Sequence, residues 1–391
     1  MTNPTPQLKE LLETFKLKRL ENGIETKEIE EELIWGPGWL DAIEDGSVSI
    51  SMETFFAILK SAKISLADIS THLTSVNAQE PPRNIEAIQS GKNLRIIFKY
   101  AKHDAIYNLK NATEEQFESV VKALRDGLAK LVNVNEDQKE AIKTEAVATS
   151  FQKAVSYWPH ANPSDIWWFV IYRAYLDPFN HPSIFSRLSF EQSWKRTGGW
   201  ALEEILVRHY SPSLKKKGIN LFIAPNERRG QLLSQANVNH RLEADKADVF
   251  LTGIIDGEEI FFGIVHVKAS FAERRTDDVP MSKALVDAGY VSPLWTMDYK
   301  SSPSARPVNK GELGVTKAEK GKDKRSAKRK DIEDDAFFSA CFSYNHNTNP
   351  TPLNQNSNAS IYICGFNNPD SDAFFNFICS SWEHFKKSIR K

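Results

Sequence analysis

The chain has 391 residues, room for two or three domains at ~100–200 residues each. With 41% hydrophobic and 26% charged residues it is not a disordered chain, and no apolar run approaches the ~18 residues of a membrane span. The formal charge of −1 hides an uneven spread: residues 1–93 hold 9 Lys and Arg against 15 Asp and Glu, leaving −6 there and +5 in the remainder. Three cysteines (Cys341, Cys364 and Cys379) form no CxxC pair, so neither a disulfide framework nor a Cys-based zinc site is expected. That usage fits a reducing cytoplasm, and the polar start Met1-Thr2-Asn3-Pro4 is not that of a signal peptide.

Residues 1–73 read as a compact set of short helices. Leu8, Leu11, Leu12, Phe15 and Leu20 recur at helical spacing before the Asn22-Gly23 break. Thr26 to Leu33, Trp39 to Glu44 and a helix capped by Ser51 follow, with Ile64 to Ile69 closing the unit. The Trp39–Gly46 helix, the Ser51–Ser61 helix and Ile64-Ser65-Leu66 together resemble the helix-turn-helix domain of Cro- and phage-repressor-like proteins. Its reading helix would bear Asp41, Glu44 and Asp45 and no basic residue, whereas groove readers usually carry Arg, Lys, Gln or Asn. A packing or dimerisation module and a DNA reader both remain open for it.

Residues 74–93, with Pro81-Pro82, read as a linker. Leu94 to Tyr100 and Ala105 to Leu109 read as two strands, and Asn111 to Glu115 caps a helix reaching Leu131, making residues 94–135 a small unit. From Asp137 the chain is helical and rich in aromatics, among them Trp158, Trp167, Trp168 and Phe169, which suit a helical core. The basic run over 315–330 is either a solvated loop or a flexible loop that closes over phosphates. Asn-rich 345–358 is loop-forming, facing DNA or otherwise.

The chemistry-bearing stretch runs from Glu243 to Ser270. Lys246 to Ile255 reads as a buried strand, Asp256-Gly257 as a hairpin turn, and Glu259 to Lys268 as the returning strand. The side-chain period of two puts His266 and Lys268 on one face. A two-residue loop sets Asp248 opposite Val265; a three-residue loop, or a bulge, sets it across from His266. Only the second arrangement joins Asp248 to Lys268.

Phosphodiester hydrolysis needs a divalent metal on hard oxygen ligands and gains from a cation beside the scissile phosphate. Asp248 suits the first role and Lys268 the second, against the plainer reading of a cross-strand ion pair. Upstream, the helix opened by Gly198-Gly199 supplies Glu203 or Glu204, with Glu203 bordering the apolar stripe.

Glu203, Asp248 and the Val265-His266-Val267-Lys268 strand end resemble the PD-(D/E)XK core of type II restriction endonucleases over about residues 190–290. The resemblance implies an α/β (α+β) fold, a central mixed sheet flanked by helices, occupying residues 136–391. It also implies Mg²⁺ held by Asp248 and Glu203, and cleavage of double-stranded DNA to 5′-phosphates by a homodimer. Two departures are plain: Ala247 stands where the motif has proline, and His266 where it has an acid. His266 ligates or orients through its imidazole, leaves metal duty to Glu203, or marks an accidental match. After the strand, Arg274, Arg275, Lys283 and Ser270 are candidate DNA contacts, with a surface ion-pair cluster on Asp277 and Asp278 as the alternative for the cations. A helix is expected from Ser282 to Ala288.

Overall fold

The computed structural model describes residues 6–45, 47–48, 50, 52–65, 69, 85–100, 103–176, 187–236, 238, 243–270, 275–300, 305–316 and 323–389. They fall into two compact units, one built chiefly from residues 1–84 and the other from residues 85–180 with 191–391. Among the described residues no helix is long and apolar enough to cross a membrane.

The first unit comprises α1 (Pro6–Glu21), α2 (Thr26–Glu32), α3 (Trp39–Glu44) and α4 (Met52–Ser61). Leu12, Phe15, Ile29, Leu40, Ile43, Phe55 and Ile58 close its core. Arg19 is buried within it and grips Glu44 with Nε at 2.7 Å and Nη2 at 3.0 Å. Glu44 is therefore internal, and of the three acids read on that helix only Asp41 and Asp45 face outward. The expected cap Ser51 and residues 66–68 lie outside the described residues.

The second unit opens with an antiparallel sheet of β1 (Ile85–Ser90), β2 (Asn93–Tyr100) and β3 (His103–Lys110). β1 lies inside the stretch read as a linker, because a strand with polar Glu86 and Gln89 and only one buried residue, Ile85, carries little apolar signal. Gln89 anchors it by donating Nε2 to the Ala112 carbonyl at 3.0 Å. Thr113 forms a capping box with Gln116 at the start of α5 (Glu114–Ala129), which precedes α6 (Glu136–Tyr157), α7 (Pro163–Leu176) and α8 (Arg187–Lys215). Trp158, Trp167, Trp168 and Phe169 are buried, as core residues would be.

The second sheet is mixed, in the order β4 (Ile219–Phe222), β5 (Val249–Ile255), β6 (Glu258–Lys268), β7 (Leu294–Thr296), β8 (Cys341–Ser343), β9 (Ile361–Ile363). β4, β5 and β6 pair antiparallel, and β6 to β9 run parallel. α9 (Asn226–Ser234) and α10 (Arg275–Asp287) cover one face, where Leu232, Leu233, Met281 and Leu285 meet Phe250, Phe261 and Ile264. On the other face Phe262 packs against Trp382 and Phe385 of α12 (Ala373–Ile389). The α/β class and the helix-flanked mixed sheet follow directly.

Several local expectations need correction. The helix that carries Glu203 does not open at Gly198-Gly199: α8 starts at Arg187 and runs through that pair. α10 begins at Arg275 rather than Ser282, running through Pro280, which removes one helical hydrogen bond without ending the helix. The basic run is not simply a solvated loop: Arg325 and Arg329 are buried in ion pairs with Glu333, and α11 (Ala327–Glu333) carries the latter two. Asn345, the first residue of the Asn-rich stretch, is buried too, donating Nδ2 to the Asp298 carbonyl at 3.0 Å, so that residue is a structural tie.

Candidate active site

The β5–β6 hairpin determines where its polar residues fall. Asp256 and Gly257 both have positive φ, 52° and 88°, the pattern of a tight type I′ turn. Ile255 therefore pairs with Glu258, the two-residue loop. Carried down the strands, that register would put Asp248 opposite Val265. The ladder shifts instead: Leu251 pairs with Gly263 and Thr252 with Phe261, leaving Phe262 as an extra residue. Val249 then pairs with Val265, and Asp248 comes level with His266.

Asp248 precedes β5, after a short 3-10 turn at Ala244–Lys246. Its Oδ2 accepts the Val267 backbone N–H at 2.8 Å and the Lys268 ammonium at 2.7 Å. Lys268 also meets Asp278 of α10 at 3.3 Å. Asp248 and Lys268 side chains are each 12% exposed, and Asp278 is 7% exposed. Two carboxylates thus converge on one ammonium in a nearly dry corner, at the carboxyl end of β6. Sequence reading missed Asp278. The sequence placed it only in a surface ion-pair cluster; its signal was the Asp277-Asp278 pair leading Met281 and Leu285 at helical spacing.

His266 is fully buried, with Nε2 at 3.0 Å from Ser292 Oγ. Burial pushes its pKa down to about 4, the Asp248 charge opposing and the Lys268 charge reinforcing that fall. Glu203 is buried on α8, whereas Glu204 is only half-buried and pairs with Arg208 at 2.7 Å. Ser270 donates to Glu312 at 3.1 Å. Lys283 is exposed and holds Asp287 at 2.8 Å. Arg274 lies outside the described residues, as does the side chain of Arg275. Among the described residues no three His, Cys, Asp or Glu side chains are gathered into a ready-made metal cluster.

No protein-family model matches the chain. A curated relative does: the type II restriction enzyme AgeI of Thalassovita gelatinovora, 36% identical over 279 residues, spanning 68% of this chain and 91% of the relative. A solved structure of the specific restriction endonuclease AgeI in complex with DNA matches 73% of this chain and 99% of its own at 33% identity, with a TM-score of 0.60. A pre-specific BsaWI–DNA complex is matched at 15% identity and a TM-score of 0.34, too distant to carry weight. The helix-flanked mixed sheet is that of a restriction endonuclease. More narrowly, the chain belongs to the AgeI-like type II restriction enzymes.

Proposed function

We propose that this protein is a Mg²⁺-dependent, sequence-specific endonuclease that hydrolyses phosphodiester bonds of double-stranded DNA to leave 5′-phosphates, with a variant PD-(D/E)XK centre. The observation that carries the reading is the meeting of Asp248, Lys268 and Asp278 at the end of β6 in a chain of this family.

The donor set suits a hard divalent cation. Two carboxylates facing one ammonium leave excess negative charge in a buried corner, a setting that favours a second cation. Asp248 spends Oδ2 on both of its bonds here, so Oδ1 is the atom to offer. In this reading Asp248 and Glu203 hold the metal, with Asp278, which already meets Lys268, as a third acid. Bound there, Mg²⁺ would polarise a phosphoryl oxygen and acidify water.

The remaining work falls to the chain's own groups. Lys268, held between Asp248 and Asp278, presents a fixed positive charge to the phosphate and orients the attacking water. The Val267 N–H fixes the Asp248 carboxylate, so the acid keeps its direction while its partners exchange. Arg274, Arg275, Lys283 and Ser270 are the DNA contacts of this reading, placed after the catalytic strand. Cutting both strands of a short site needs two centres, which a homodimer supplies. The N-terminal helical unit, helix-turn-helix-like in its order, would serve recognition or assembly.

Plasmid DNA incubated with the purified protein and Mg²⁺ tests this directly, with EDTA as the control. Discrete fragments are expected with the metal and intact DNA without it. Uncut DNA across varied, unmethylated substrates would overturn the proposal.

A further inference from the structure

We propose that His266 is a positioning residue: through Ser292 and Ser282 it ties α10 to β6 and so sets Asp278 against Lys268. The inference rests on the reading of Asp248, Lys268 and Asp278 as the cleavage centre, and gives His266 a role apart from metal ligation.

Two periodicities make the link. His266 and Lys268 lie two residues apart on β6 and so share a face. Asp278 and Ser282 lie four apart on α10 and so share a face one turn apart. The strand and the helix are therefore joined twice, in parallel. Lys268 meets Asp278 at 3.3 Å in one tie. In the other, His266 Nε2 lies 3.0 Å from Ser292 Oγ, and Ser282 Oγ donates to Ser292 Oγ at 2.8 Å. His266, Ser282 and Ser292 are all fully buried, so water does not compete for these bonds.

Ser292 is a rigid post between the two. Its N–H donates to Ser339 Oγ at 3.0 Å, and its carbonyl accepts the Ser339 N–H at 3.0 Å. Its neighbours are fastened along β6, where Ile264 N–H reaches the Val291 carbonyl and His266 N–H the Pro293 carbonyl, both at 2.9 Å. The helix side needs such a post. Pro280 stands between Asp278 and Ser282 and has no N–H, so the early turns of α10 lack one internal bond. Side-chain ties then bear more of the task of fixing Asp278.

The imidazole itself is kept from the reaction. One ring nitrogen is engaged by Ser292, and the ring edge lies against Phe338 with centroids 5.5 Å apart. Held neutral by burial, it contributes direction rather than charge.

The test is a double-mutant cycle on single-turnover cleavage, using the full-length protein with Mg²⁺. His266→Leu removes the bond at similar volume, and Ser282→Ala removes it from the far end. Each is expected to slow cleavage between about tenfold and a hundredfold, the range for a small misplacement of a reacting group. The Mg²⁺ concentration for half-maximal rate should rise, while DNA affinity measured with Ca²⁺ in place of Mg²⁺ stays within twofold. His266→Gln, which returns a polar atom near the Nε2 position, should recover most of the rate. In an Asp278→Asn background, His266→Leu should cost less than about twofold more, because the group it aims is already gone. Losses that multiply in the cycle would overturn the proposal, as would a wild-type rate for Ser282→Ala. If His266→Leu does not fold, Ser282→Ala against Asp278→Asn closes the same cycle. Asp248→Asn and Lys268→Met are the reference: if either cleaves at the wild-type rate the centre is misread, whereas if both are dead and the cycle is additive, only the role of His266 falls.

Discussion

Asp248 and Lys268 meet at 2.7 Å across a hairpin whose two-residue turn alone would have placed them on opposite faces of the sheet. The extra residue Phe262 reverses the parity of the inner half of β6. Its side chain is not idle: it packs on Trp382, with ring centroids 4.9 Å apart. The bulge that aligns the polar corner is thus held by the aromatic core on the other face.

Asp248→Asn should separate chemistry from binding. The amide oxygen can still accept from the Val267 N–H, so the strand end keeps its shape, but the charge that faces Lys268 is lost. Single-turnover cleavage should fall on the order of a thousandfold, the upper range for removing one electrostatic group from a preorganised site. DNA affinity in a gel-shift experiment should change by no more than a few-fold. Cleavage at the wild-type rate would contradict the assignment.

Glu203→Gln and Asp278→Asn weigh the two further acids. Removing a ligand should raise the Mg²⁺ requirement for half-maximal rate, whereas removing a remote carboxylate should leave it unchanged. Asp278, at 3.3 Å from Lys268, is expected to move it by about tenfold or more. Glu203→Gln is expected to do the same if α8 delivers its carboxylate to the metal, and Glu204→Gln to have no effect because Arg208 already occupies that acid. Metal titrations of the three variants rank them.

What the sequence disclosed was what is local. Asp256-Gly257 announces its hairpin because only a few residues tolerate two consecutive positive φ values. The alternation around His266 and Lys268 fixes their common face. The bulge at Phe262 was not legible, because it is stabilised by Trp382, 120 residues further along the chain. Asp278 reads in the sequence only as part of a surface ion-pair cluster; α10, running through Pro280, sets it against Lys268. In the basic run, charge alone suggested solvent or phosphate; Glu333, which holds Arg325 and Arg329, turned both inward. Burial of a cation is decided by its partner, and composition does not name partners.

Acid should destabilise the fold through its buried histidines. His266, and His209 beside Tyr210 and Phe366, are both lowered by burial to about 4. Between that value and the ordinary 6.5 the unfolded chain binds protons that the folded chain refuses. Their contribution is therefore whole above pH ~6.5 and lost as pH falls toward 4, by up to ~3 kcal/mol for His266. Asp165 and Asp298 act oppositely, since burial raises them to about 7 and about 6. Their contribution is whole below the ordinary carboxylate pKa and is lost as pH rises through the folded values. Comparing wild type with His266→Gln isolates the histidine: urea unfolding at pH 7.5, 5.5 and 4.5 should show the variant losing less stability on acidification. Parallel curves would refute it.

Lys283 distinguishes a DNA contact from a surface ornament. Its ion pair with Asp287 is exposed and one helical turn long, worth well under ~1 kcal/mol to the fold. Lys283→Ala should therefore leave thermal unfolding unchanged. A phosphate contact would nonetheless lower the slope of log affinity against log salt by about one, uniformly across DNA sequences. An unchanged slope would remove Lys283 from the interface.

Gly263 is the position where backbone geometry, rather than side-chain chemistry, carries the site. β6 and the segment entering β7 lie so close there that a Cβ on Gly263 would come within 2.1 Å of the Val291 carbonyl oxygen and 2.9 Å of its Cβ. The same approach lets Ile264 donate to that carbonyl and seats Ser292 beneath His266. Neither backbone can yield without parting the parallel pairing His266–Leu294 and Lys268–Thr296. Gly263→Ala should cost about 2–4 kcal/mol, as overpacking against rigid backbone does. Its residual folded fraction should cleave more slowly than its population accounts for, because Ser292 and Lys268 move with the strand. A variant that melts and cleaves like wild type would mean that the two strands have slack which the present spacing does not show.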